Sequence, residues 1–388
     1  MHRVLLYFLF CHGLVFSQQS VEFEGFGAYN STGIHRDIPS AFFYGGFIDS
    51  LSIEKSLIKL KERNLFGMQT GGNILWKSNI GLCKDSSKRF ADFNWVLGAG
   101  TQQYVGMQFS KDAFGLLFQG GYPYIGDTMA LSGLRLESTS FSKLGIGMVN
   151  KHTLSSIIIN LVRIQNQISA KTNHSYWYQD EQSAAINLEL NGEANFGKPS
   201  NSFGVAIDLD YRFGSMQEEQ NEQQFQLIVQ NFGLARNFGY QKYVLDGPLQ
   251  FSGLSIMDLQ NNNLDTLAQD FLDTLGFQKI SQNGWVILPT TVHLAKIIDW
   301  QASARIQGYY GAQFLFRQTY TPLVYAGSHI KITDWWQAGV GLAYGGFGGL
   351  RVQSYSTLRF KTTQLIIRSD NVAFQNGASI ILQLKCEF

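Results

Sequence analysis

Residues 301–317 read QASARIQGYYGAQFLFR, and they alternate. The even positions carry Ala302, Ala304, Ile306, Gly308, Tyr310, Ala312, Phe314 and Phe316; the odd ones include Gln301, Ser303, Arg305, Gln307, Gln313 and Arg317. Successive side chains of a strand point to opposite faces, so this pattern predicts one extended strand with an apolar side and a polar, charged side. A soluble antiparallel sheet would set the apolar side on a core and the polar side in water. An outer-membrane barrel would set the apolar side in lipid and the polar side toward its lumen. Residues 301–317 exceed both the usual strand of about 5–6 residues and the about 9–11 that cross a bilayer at a tilt. Length favours the barrel.

The same period recurs outward from this stretch. WQAGVGLAYG (336–345) puts Trp336, Ala338, Val340, Leu342 and Tyr344 on one face, with aromatics at both ends as in the girdles of a membrane barrel. LRVQSYSTLRF (350–360) carries Arg351, Gln353 and Arg359 on one side. FGVAIDLDYRF (203–213) opposes Val205, Ile207, Leu209, Tyr211 and Phe213 to Ala206, Asp208, Asp210 and Arg212. Charges like these are costly in a dry core and suit a watered lumen. Asp208, Asp210, Arg212, Arg305, Arg351 and Arg359 are therefore the candidate lumen-lining residues. Segments 91–101, 134–149, 153–165, 184–194 and 223–231 read as further strands. NGASIILQLKCEF (376–388) alternates to a terminal phenylalanine. Leu384, Cys386 and Phe388 on its apolar side resemble the C-terminal insertion signal that barrel-assembly machinery reads in Gram-negative outer-membrane proteins.

The N-terminus opens MHRVLLYFLFCHGLVFSQQS, with Arg3 ahead of an apolar run and small residues before Gln18. That is the pattern of a secretory signal peptide over 1–17, leaving 18–388 as one barrel domain. The lipoprotein alternative fails because Phe10 stands before Cys11. Cys83 and Cys386 are too few and too far apart for a disulfide framework. The composition fits many strands: 14% aromatic residues, 40 Gly and only 6 Pro. A net charge of +1 with 15% charged residues argues against nucleic acid as a partner. No later apolar stretch reaches the length of a spanning helix, so a membrane form must be a barrel.

Two regions break the period. SLSIEKSLIKLKERNLF (50–66) has Leu51, Leu57 and Leu60 at helical spacing and reads as a short plug helix or a charged strand pair. The larger break is 232–289, where LDTLAQDFLDTL (264–275) predicts a helix behind Asn261 to Asn263 as N-caps. The remaining residues, at roughly 20–25 per strand with its connection, give about 12–16 antiparallel strands, and 14 is the expected number. Fold class is thus an all-β transmembrane barrel with a partly helical insert at 232–289. Counting strands back from Phe388 sets that insert at the extracellular mouth.

Within 229–259 and 288–317 the chain resembles an uncharacterised outer-membrane β-barrel family of Bacteroidota, itself distantly like the FadL and PorV type of barrel. The elements carrying the resemblance are Asn231-Phe232-Gly233, Phe251-Ser252-Gly253-Leu254 and Leu288-Pro289. The Asn-Pro-Ala element of the early strands has only Asp37-Ile38-Pro39-Ser40-Ala41 as its counterpart. The resemblance implies a fold and a place in the outer membrane, not a reaction.

Chemistry is sparse. His35, His152, His174, His293 and His329 stand in no spacing that names a reaction, and no G-x-S-x-G element occurs. Neither an enzyme nor a metal or cofactor is expected. The expected function is a channel or transporter for small or amphipathic molecules. The alternative is a structural or accessory barrel of an envelope, secretion or surface-attachment complex, with an envelope protein docking through 232–289.

Overall fold

The computed structural model describes residues 19–82, 90–183, 185–197, 202–214, 224–251, 278–298, 304–372 and 376–388. The expected signal peptide, Cys83 and the expected helix over 264–275 lie outside them. In chain order the strands are β1 (Ser20–Ser31), β2 (Asn64–Gly81), β3 (Phe93–Phe109), β4 (Thr128–Ala130), β5 (Arg135–Asn150), β6 (Ser156–Thr172), β7 (Tyr176–Gln179), β8 (Ile186–Gly197) and β9 (Ser202–Gly214). Then come β10 (Gln224–Phe251), β11 (Gln278–Ile287), β12 (Thr291–Lys296), β13 (Ile306–Leu315), β14 (Thr321–Lys331), β15 (Trp336–Gly346), β16 (Arg351–Phe360), β17 (Thr363–Ser369) and β18 (Gly377–Glu387). Helices α1 (Asp37–Tyr44), α2 (Ser50–Lys59) and α3 (Lys111–Gln119) interrupt them.

These elements close into an antiparallel barrel of 14 staves, as the sequence predicts. Closure is between β1 and β18, in register from Ser20↔Glu387 to Asn30↔Gly377. Two staves are each built from two strands in line. Along β6, β8 pairs from Thr172↔Gly192 to Gln167↔Gly197, and β9 continues from Arg163↔Phe203 to Ser156↔Asp210. Along β10, β11 occupies Leu234 to Val244 and β12 occupies Phe225 to Gln230. The interruption between β11 and β12 is Leu288-Pro289-Thr290, and proline has no N–H to give a ladder. β4 and β7 pair with each other, and β7 with β8, raising one side of the wall.

The two ends of the barrel differ. The start of β1 and the end of β18 meet at one of them, where Gln19 and Phe388 exchange backbone hydrogen bonds of 3.2 and 2.8 Å. The connections there include the tight turns 332–335 and 361–362. The opposite, loop end carries all three helices. Ile34, Ile38, Leu60, Phe109 and Phe114 gather there into a buried cluster that ties α1, α2 and α3 to the tops of β2 and β3. Residues 50–66 resolve as the helix α2 followed by the start of β2, not as a strand pair, and the helix packs with α1 and α3 at the loop end.

Parity along the staves is as expected: Leu161, Val205, Leu234, Val340, Leu342 and Leu382 are exposed on the outer face, between inward neighbours. Two boundaries move. The strand expected over 301–317 is β13, Ile306–Leu315, because the chain leaves the ladder after Phe316, whose N–H still donates to Thr290 O, and Arg317 turns into the bore; residues 301–303 are outside the described set. The break expected at 232–289 is narrower, since β10 runs on to Phe251 and β11 resumes at Gln278. Those flanks keep the strand alternation, but Tyr240 to Tyr243 mix polar and aromatic residues. Above the lipid band an outer face has no need to be apolar, so the membrane pattern fades while the ladder continues.

Candidate functional site in the occluded lumen

Polar side chains on the inner faces of five staves meet in one network. Lys143 on β5 donates to Asp208 Oδ2 on β9 at 2.7 Å and to Asn231 Oδ1 on β10 at 2.9 Å. Asn160 Nδ2 on β6 donates to the same carboxylate at 3.0 Å. Asn231 gives its backbone N–H to Asp208 Oδ1 at 2.7 Å and its Nδ2 to Gln102 Oε1 on β3 at 2.8 Å. Asn231 sits at φ 57, within a bulge between Val229 and Phe232. Asparagine tolerates this left-handed backbone better than most residues, and the bulge turns both its N–H and its side chain inward. The Lys143 and Asp208 side chains are 6% and 18% exposed, so the pair is shielded from water and depends on its partners.

On the loop-end side of this network the lumen is apolar. Phe141, Val162, Ile164, Ala206, Ala235, Val286 and Leu288 form a buried cluster across five staves. Leu288 joins it because the chain leaves the ladder at Pro289, with Leu288 N–H donating to Gly233 O and Thr290 Oγ1 to Asn231 O.

Two loops then close the bore. Residues 316–320, between β13 and β14, reach across the lumen to β3 and β5. Tyr104 and Thr319 share a hydroxyl hydrogen bond of 2.6 Å, and Thr319 is fully buried. Arg317 lies with its guanidinium 5.9 Å from the Tyr104 ring centre, its Nε 3.6 Å from Glu137 Oε2 and its Nη2 donating to Ile287 O. From the β15–β16 loop, Phe347 packs against Tyr104 and Tyr320 at ring separations of 5.9 and 4.9 Å. Gly67 and Gly106 make room for this closure. A methyl group at Gly67 would collide with the Phe347 ring, and one at Gly106 with the hydroxyls of Thr319 and Tyr104.

A second wall, from β12 to β16, presents rings. His293 Nε2 and the Tyr325 hydroxyl are 2.6 Å apart, and His329 packs edge-on between Tyr309 and Tyr355 at 5.1 and 4.1 Å.

Of the residues singled out in the sequence, Asp208 is central to the network. Asp210, on the same inner face, accepts from Gln226 Nε2 at 2.8 Å and lies 3.6 Å from Arg212 Nη2. Arg351 is inward and buried, donating to Gly345 O at 2.9 Å. Arg305 instead sits exposed at the bend before β13, and Arg359 is exposed near the terminal end of β16. Leu384 and Cys386 lie on the outer side of β18, and Phe388 is 60% exposed beyond it. The lumen is also drier than its polar lettering implies, because Gln337, Gln353 and Thr357 are buried among their neighbours. Sequence reasoning missed Lys143, Tyr104 and Glu137, each of which reads locally as one more strand position, and Thr319, which reads as a turn residue. Asn231 was on view in the Asn-Phe-Gly element, though not as a network hub.

No family model matches the chain, and no curated protein matches it in sequence. Among solved structures it is similar to the Pseudomonas putida toluene transporter TodX, with 8% identity and a TM-score of 0.30 over 97% of this chain and 89% of that one. A Pseudomonas aeruginosa FadL homologue gives 10% identity and a TM-score of 0.35 over 96% and 89%. The outer membrane protease OmpT from Escherichia coli gives 8% identity and a TM-score of 0.22 over 97% and 99%.

Proposed function

We propose that this chain is a Gram-negative outer-membrane channel or transporter for small molecules, held shut at rest by its own loops. The observation that carries the reading is the closure at residues 316–320. A barrel with an apolar outer face and a polar inner one suits a membrane, and its bore is blocked by contacts that are few and reversible. The Tyr104–Thr319 hydrogen bond contributes on the order of 1 kcal/mol, and an ion pair as long as Arg317–Glu137 adds no more. An opening cost of a few kcal/mol corresponds to an open population on the order of 0.1–10%, the range of a gated path. Short turns at the terminal end support a periplasmic position for that end, with the loop end outside.

The accessory-barrel reading has its own support, the raised wall of β4, β7, β8, β10 and β11, which offers a partner a surface beyond the barrel. Solute flux into proteoliposomes separates the two. The wild-type barrel should leak slowly, and a variant lacking 316–320, or carrying Tyr104→Phe with Thr319→Val, should leak several-fold faster. Flux that stays at the lipid background in folded, heat-modifiable variants would refute the channel and leave the accessory role.

A further inference from the structure

The outer face of the wall changes chemistry in a single step near its loop end. Leu161 on β6, Val205 on β9, Leu234 on β10 and Ile287 on β11 are cross-strand partners in one exposed, wholly apolar row. Two residues nearer the loop end, about 5 Å higher along the barrel axis, the partners are Arg163, Phe203, Arg236 and Trp285. On β9, Tyr211 stands eight residues below Phe203, about 21 Å along the axis, which matches two aromatic girdles flanking a lipid band. In the proposed membrane the arginine row therefore lies where acyl chains give way to headgroups.

Both arginines are exposed, and neither has a hydrogen bond or an ion pair among the described residues. Cations inside the barrel are treated differently: Lys77 is paired with Glu22 at 2.9 Å and Lys143 with Asp208 at 2.7 Å. Arg236 is held by rings instead, its guanidinium 5.0 Å from the Phe238 ring centre and 5.7 Å from that of Trp285. Rings attract the cation while leaving its N–H donors for another acceptor. Arg163 and Arg236 flank Phe203 on strands about 10 Å apart, close enough for two long side chains to meet one anion. Beyond Arg163 the row continues to Ser142 on β5, whose hydroxyl accepts from Gln165 at 2.7 Å, so that flank is polar as well.

We infer that this row holds the phosphate of an anionic lipid in the leaflet at the loop end. The two guanidiniums donate to the phosphate oxygens, a geometry arginine suits, and the acyl chains lie over the apolar row below. A zwitterionic headgroup brings its own cation against the arginines, and a free phosphate gains nothing from the leucines. The inference goes beyond the channel reading and rests only on the membrane position of the barrel.

The test is native mass spectrometry of the folded, detergent-solubilised barrel titrated with diphosphoryl lipid A, phosphatidylcholine and inorganic phosphate. Lipid A should be retained saturably, about tenfold tighter than phosphatidylcholine, and excess inorganic phosphate should not displace it. Arg163→Gln and Arg236→Gln should each weaken lipid A by about tenfold. Arg305→Gln, which removes the same charge from the exposed bend at the terminal end, should change nothing. Heat-modifiable mobility checks that each variant folds. Equal retention of lipid A and phosphatidylcholine, or arginine variants no different from Arg305→Gln, would overturn the assignment. Displacement by inorganic phosphate would overturn the lipid as occupant. A barrel that retains lipid A but passes no solute overturns the channel alone, and one with flux but no lipid A preference overturns only this row.

Discussion

Two neighbouring residues of β18 test the membrane reading in one strand. Leu382 is outward and 44% exposed; Gln383 is inward, across from Glu24 on β1. From Ala378 to Cys386 the strand extends about 27 Å at about 3.4 Å per residue, or about 20 Å along the barrel axis at a tilt of about 40°. That matches an apolar band about 25 Å tall, and Leu382 falls near its centre, about 10 Å from either edge. An arginine at the midplane of such a face costs about 2–4 kcal/mol. The same residue at 383 meets the Glu24 carboxylate within the lumen and should cost less than about 1 kcal/mol. Leu382→Arg should therefore destabilise more than Gln383→Arg by about 2–3 kcal/mol, roughly 30- to 150-fold in the folding equilibrium. Urea titration of folding into phospholipid vesicles, read by heat-modifiable gel mobility, measures the difference. Equal costs would refute the lipid assignment of this face, and the reverse order would mean a sheet packed outward on protein.

Three further outcomes follow from the same geometry. Lys143→Met alone should cost about 3–5 kcal/mol by stranding the Asp208 carboxylate, and adding Asp208→Leu should recover part of it; strictly additive losses in vesicle folding would deny the coupling. Phe388→Asp should slow assembly by the barrel-insertion machinery more than Phe360→Asp, although both rings are exposed and Phe360 stacks on Trp335 at 5.5 Å; equal assembly in cells would show that the terminal ring carries no signal. With Cys83 and Cys386 changed to serine, Tyr122→Cys at the 85%-exposed loop end should react with an impermeant maleimide on intact cells, and Asp334→Cys, 98% exposed in the β14–β15 turn, only after the outer membrane is opened. The opposite labelling would invert the proposed orientation.

What the sequence made legible and what it hid divide along one physical line. In the proposed membrane setting outward positions answer to a single uniform solvent, lipid, so the apolar ones share one cause and the alternation at 336–345 or 376–388 can be read one strand at a time. That uniformity is also why the count of 14 staves survives although several boundaries move. Inward positions answer to one another. Asp208 looks like any charged lumen residue until Lys143, 65 positions earlier, and Asn231, 23 later, are brought to it by the closure of the barrel. The same holds for Arg317. By parity it belongs to the polar side of the 301–317 stretch, and the structure keeps it inward. Yet its work is done beyond the end of β13, where the chain leaves the wall and crosses the bore toward Glu137 on β5, five staves away round the barrel. Period two tells which side of the wall a residue faces. Only closure tells what it meets there, so the candidate site emerges from pairs distant in sequence, while the fold emerges from neighbours.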